Sequence, residues 1–130
     1  FERESFDRIL LDVPCSGLGV IRRKPDIKWT KDKAGLAGLP KVQREIIDAV
    51  LPLLKRGGTL VYSTCTIDPS ENEQQADYIL SNGLTWDDTL RERLPHAVRS
   101  MVPSDRAELK LLPTSFGTDG FYIAAFKKDV

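Results

Sequence analysis

The chain is poor in the residues that build metal sites and disulfide frameworks. It has a single histidine, His96, and two cysteines, Cys15 and Cys65, in 130 residues. There is no C-x-x-C pair and His96 has no ligand set around it, which argues against structural zinc. Two cysteines make no disulfide framework, and the sequence shows neither a secretory leader nor a membrane-length apolar run. A cytoplasmic protein with no membrane or metal partner is the expectation. Net charge is lacking too: nineteen basic residues balance nineteen acidic ones, so no global field points to a partner. Nor does a glycine-rich loop follow an early strand with an acidic residue at dinucleotide spacing. A dinucleotide-dependent dehydrogenase is therefore disfavoured.

What is present is organised as strand, helix, strand, helix and hairpin. In Phe6 to Val13 the apolar residues Ile9-Leu10-Leu11 follow one another rather than alternating with polar ones, which predicts a fully buried strand. A loop from Pro14 to about Lys33 follows, with six basic residues (Arg22, Arg23, Lys24, Lys28, Lys31, Lys33) against two acids between Arg22 and Lys33. Pro40 is expected to open a helix whose buried face carries Ile46, Val50, Leu53 and Leu54, with an irregular last turn at Pro52. Gly57-Gly58 then leads into a second buried strand, Thr59 to Thr64. Ser70-x-x-Glu73 has the form of a capping box ahead of a helix with Ala76, Ile79 and Leu80 inward, ended by Ser81-Asn82-Gly83. Residues 84–105 carry no clear period. Glu108 to Pro113 and Gly120 to Lys127 predict an antiparallel hairpin. The order is that of an α/β fold with a mostly parallel sheet.

Each cysteine stands just past the end of a predicted buried strand, and Asp12 stands beside the first. Ligands bind at the carboxyl ends of strands in such sheets. Two thiols and a carboxylate at one edge can act together on a small planar substrate, and cysteine is an intrinsically strong nucleophile. Packing alone accounts for an ordinary buried cysteine; two at equivalent strand ends point to catalysis.

The motifs that carry these residues resemble a known family. Asp12-Val13-Pro14-Cys15-Ser16-Gly17-Leu18-Gly19 with Arg22-Arg23-Lys24-Pro25-Asp26, then Tyr62-Ser63-Thr64-Cys65-Thr66 and Glu71-Asn72-Glu73, are similar to those of the Sun (Fmu) RNA cytosine-5 methyltransferases. Gly117-Thr118-Asp119-Gly120-Phe121-Tyr122 resembles the family's last strand motif. The resemblance implies a Rossmann-like, S-adenosylmethionine-dependent methyltransferase fold, of which this chain would be the C-terminal half: a mostly parallel sheet plus the terminal hairpin. It implies that Cys65 attacks carbon 6 of a cytosine in RNA and that Cys15 assists proton removal and release. It puts Asp12 between cofactor and base, with Pro14 also beside the cofactor.

The same setting makes Arg22, Arg23 and Lys28 candidates for phosphate contact, on RNA that is expected to be ribosomal. Ser16, Gly17 and Gly19 serve a tight loop or an ordinary turn equally well. Trp29 fits an anchor of that loop better than a base-stacking platform. Glu71, Asn72 and Glu73 are expected to serve the helix start, and Asp119 and Phe121 to be a turn residue and a core aromatic.

The family's Gly-rich cofactor loop and its ribose-holding acid have no counterpart in residues 1–130, so this stretch alone is expected to bind the cofactor poorly and to be inactive without an upstream half. Two other classes remain open at this stage: a non-catalytic RNA-binding scaffold of the same fold, and a thiol redox protein using Cys15 and Cys65 as a pair.

Overall fold

A computed structural model describes residues 2–13, 33–66, 68–111 and 120–129. Five strands form one mixed sheet: β1 (Phe6–Asp12), β2 (Leu54–Thr64), β3 (Leu84–Trp86), β4 (Glu108–Leu111) and β5 (Phe121–Lys128). β1 and β2 pair in parallel, and β5 pairs antiparallel with β2 on one side. β3 and β4 share the other side of β5, each antiparallel to it. The predicted α/β fold, with its parallel strands and its terminal antiparallel hairpin, is the one observed. β5 lies inside the sheet, not at its rim, because β3 and β4 line its outer edge end to end.

Helices α1 (Lys33–Val50) and α2 (Glu73–Ser81) cover one face of the sheet. Ile47 of α1 and Ala76 and Ile79 of α2 are fully buried there, against Leu60 and Tyr62 of β2 and Ala124 and Phe126 of β5. The period-2 alternation of strands puts Val61, Ala125 and Ile123 on the opposite face. Leu90 of the short helix α3 (Leu90–Arg93) and Ala107 pack against that face. A second short helix, α4 (His96–Arg99), completes the segment. β3 and these two helices went unread in the sequence because none is long enough to show a period. Trp86 of β3 stacks on Phe126 at 5.0 Å, and the Arg106 guanidinium lies over its ring at 4.8 Å.

Several sequence expectations are corrected. The helix does not start at Pro40; it runs from Lys33 with Pro40 inside. A proline costs the bond to the carbonyl four residues back, yet the preceding turns persist. Leu53 and Leu54 are not on the helix. A 3-10 turn, Leu51–Leu53, with Pro52 at its start ends it, as the irregular last turn at that proline predicts. β2 accordingly begins at Leu54, ahead of the expected Thr59, and Gly57-Gly58 lies within it. Phe6 opposes Leu54 and Arg8 opposes Thr59, so five residues of β2 advance against two of β1. The glycines form the resulting bulge: Gly57 takes φ 78°, and a Cβ on Gly58 would stand 2.8 Å from the carbonyl oxygens of Asp7 and Lys55.

β1 is not fully buried. Leu11 and Val13 are buried and Ile9 is half-buried, but Leu10 on the other face is 71% exposed. Among the described residues β1 has a strand neighbour on one side only, and the α3–α4 segment covers the sheet's second face nearer β5.

Candidate active site

Parallel register sets the geometry of the strand ends. Asp12, the last residue of β1, opposes Ser63, the penultimate residue of β2. The Val13 N–H donates to the Ser63 carbonyl at 3.3 Å, carrying the pairing one step past the strand. The Ser63 hydroxyl donates to Asp12 Oδ1 at 3.2 Å. Cys65 follows β2 directly and is half-buried. Asp12 and the thiol thus sit at the carboxyl ends of neighbouring strands, the strands themselves being spaced about 5 Å apart. Of the predicted site residues, Asp12 and Cys65 are brought to one edge as expected. Cys15, Pro14, Arg22, Arg23 and Lys28 lie outside the described residues, as do Ser16, Gly17, Gly19, Trp29 and Asp119. Phe121 opens β5, half-buried, opposite Leu111.

Beyond Cys65 the chain folds back through a polar turn. The Asp68 carboxylate accepts from the Ser70 N–H at 2.9 Å and from the Ser70 hydroxyl at 2.8 Å. Ser70 is therefore occupied by Asp68, and Glu73 lies within reach of Lys110 Nζ at 3.3 Å. The capping box does not form: α2 begins at Glu73, and its N-cap, Asn72, makes no side-chain capping bond.

Glu71 and Asn72 are instead buried under the Cys65 turn, a role the sequence reading missed. Thr64 Oγ1 donates to Asn72 Oδ1, and Asn72 Nδ2 donates to the Thr66 carbonyl at 2.9 Å. Glu71 accepts from Thr66 Oγ1 at 3.3 Å and from Gln43 Nε2 at 3.0 Å, while its own carbonyl accepts from the Tyr62 hydroxyl at 2.6 Å. Gln75 continues the network to α1, donating to the Gln43 side chain at 3.1 Å and to the Pro40 carbonyl at 2.9 Å. The available signal was a polar run, Ser63-Thr64-x-Thr66, directly after the apolar Leu60-Val61-Tyr62; buried polar groups of that kind require partners.

Among the described residues, no group of three His, Cys, Asp or Glu side chains is placed to hold a metal ion, and no helix is long and apolar enough to cross a membrane.

The chain matches the family model described as 16S rRNA methyltransferase RsmB/F over residues 1–127. Relatives include the probable ribosomal RNA small subunit methyltransferase B of Bacillus subtilis, 49% identical over 98% of this chain and 29% of that protein. The ribosomal RNA small subunit methyltransferase B of Vibrio cholerae is 46% identical over 98% of this chain and 27% of its own length. This chain thus spans under a third of the length of these two relatives. Among solved structures, NSun6 from Pyrococcus horikoshii, determined with SFG, superposes with a TM-score of 0.71 at 30% identity, covering 92% of this chain and 29% of that one. A methyltransferase homolog protein from Pyrococcus horikoshii gives a TM-score of 0.71 at 28% identity, over 95% of this chain and 39% of that one. With its strand-end carboxylate and thiol in place and nearly its whole length matched, the chain belongs to the 16S rRNA methyltransferase RsmB/F family.

Proposed function

We propose that this chain is the C-terminal part of the catalytic domain of a cytoplasmic enzyme that methylates carbon 5 of a cytosine in ribosomal RNA. The observation that carries the reading is the register Asp12 opposite Ser63, which puts a carboxylate beside the turn bearing a half-buried thiol. The Cys65 thiolate adds to carbon 6 of the cytosine, and the electron pair displaced from the ring double bond makes carbon 5 nucleophilic. S-adenosylmethionine, when bound, supplies the methyl group as an electrophile. Cys15 then receives the proton from carbon 5 as the bond from carbon 6 to Cys65 breaks, restoring the double bond and the Cys65 thiolate. Asp12 holds the polar edge of the base by hydrogen bonding.

The cofactor suits what the chain presents: the exposed Asp12 carboxylate complements the cationic charge and amino donors of S-adenosylmethionine, with Pro14 two residues further along the chain. The solved relative NSun6 carries SFG, an analogue of that cofactor. The target base must leave its stack to reach a thiol at a strand end, so a loop or locally opened duplex is the substrate, its phosphates met by Arg22, Arg23 and Lys28.

The test uses the natural protein that carries this chain, incubated with ribosomal RNA and methyl-labelled S-adenosylmethionine, with the RNA then digested to nucleosides. Label in 5-methylcytidine, absent with Cys65→Ala, is expected. Label in any other nucleoside, or full transfer by Cys65→Ala, would reject the reading.

A further inference from the structure

Two buried polar side chains beside the Cys65 turn are not used to start the helix they adjoin. Asn72 occupies the N-cap of α2 but spends both ends of its amide on the turn, taking the Thr64 hydroxyl and donating to the Thr66 carbonyl. Glu71 is 1% exposed and holds the Thr66 hydroxyl from the other side. Thr64 and Thr66 bracket Cys65, so the chain before and after the thiol is tied to one buried pair. That pair is itself anchored to α1 through Gln43 and to β2 through the Tyr62 hydroxyl.

Burying an amide and a carboxyl group costs free energy unless every bond is made, and a plain turn requires neither. An apolar pair would pack there at less risk, so the polar pair is better explained by direction: it fixes where the intervening peptides point. We propose that Glu71 and Asn72 are positioning residues that set the orientation of the Cys65 thiol by clamping Thr64 and Thr66. The clamp rests on the reading of Cys65 as the nucleophile. A displacement of about 1 Å in a reacting group can cost on the order of a hundredfold in rate, which sets the size of effect to look for.

The test compares Thr64→Val, Asn72→Ala and their double variant in the natural protein. Thr64→Val removes one hydroxyl and preserves shape, so it is expected to cost less stability than Asn72→Ala, which removes both of that residue's bonds to the turn. Each single variant is expected to lower the single-turnover methylation rate by about 10- to 100-fold while leaving RNA affinity within about twofold. The double variant should be no slower than the slower single, because the Thr64–Asn72 bond that Thr64→Val removes is already lost in Asn72→Ala. Glu71→Gln, which keeps an acceptor for Gln43 and a polar partner for Thr66, should retain far more rate than Glu71→Leu. Losses that multiply in the double variant, or a rate loss that simply follows weakened RNA binding, would overturn the clamp. Labelling of Cys65 by iodoacetamide reads the thiol without any RNA chemistry. Thr64→Val should change its rate by at least about threefold, and an unchanged rate also overturns the proposal. Methylation surviving Cys65→Ala would instead reject the nucleophile reading, so the two failures are distinguishable.

Discussion

Ser63 holds one oxygen of Asp12 at 3.2 Å, so a carboxylate at the end of β1 takes its direction from the neighbouring strand. Replacing Ser63 by alanine should lower methyl transfer by about tenfold and cost about 1 kcal/mol or less of stability, since one modest hydrogen bond is lost; paired rate and urea-unfolding measurements check both. Tyr122 tests the burial beneath the sheet. Burial first, then its hydrogen bond to Glu108, pushes the Tyr122 hydroxyl well above the ordinary tyrosine value. A raised folded value favours the protonated group, so its contribution is complete below about pH 10, the unfolded value, and is lost as pH rises beyond it. Stability should therefore fall on the alkaline side, and Tyr122→Phe should flatten that limb in urea titrations at stepped pH.

At the scale of elements, the bulge in β2 is a tightly constrained piece of backbone. Gly58→Ala would set a Cβ against two carbonyl oxygens and Leu54 Cδ1, all at 2.8 Å, and should destabilise the protein by about 1–3 kcal/mol in urea unfolding. The start of the α3 segment offers a second test. Burial favours the neutral form of Asp87, but hydrogen bonds from Thr89 and the charge of Arg93 outweigh it and hold the carboxyl below its ordinary value. A lowered folded value means stability present above about pH 4 and lost as pH falls through the folded value. The stability gap between the natural residue and Asp87→Asn should accordingly narrow between neutral pH and about pH 3.

These elements also show how far the sequence was legible. The strand ends that carry Asp12 and Cys65 were readable because apolar runs stop there abruptly. The 3-10 turn at Pro52 followed from proline's missing donor. Ser70-x-x-Glu73 misled because Asp68, two residues before Ser70, competes for its hydroxyl and its N–H, and Lys110 lies beside Glu73; neither competitor belongs to the motif. The Glu71–Asn72 clamp was hidden for a similar reason: its partners come from α1 and β2, up to 28 residues away.

At the scale of the molecule, α1 and α2 cover one face of the sheet, and among the described residues β1 has no strand on its other side and carries Leu10 71% exposed. Under the proposal that this chain is the C-terminal part of a larger catalytic domain, the open side of β1 is where the remainder packs. Leu10→Ser should then change the stability of the 130-residue chain by no more than about 0.5 kcal/mol, whereas in the longer protein its cost should approach the ~2–5 kcal/mol typical of truncating a buried leucine. Urea unfolding of both forms measures the difference. Equal costs in the two would place the packing elsewhere.

The central claim is that Cys65 bonds to the base and Cys15 releases it. It is tested most directly by mixing the natural protein carrying Cys15→Ala with ribosomal RNA and S-adenosylmethionine and resolving the products on a denaturing gel. The account predicts a covalent protein–RNA band that accumulates with Cys15→Ala and vanishes when Cys65→Ala is added. A band that persists without Cys65, or rapid turnover by Cys15→Ala with no band, would contradict it.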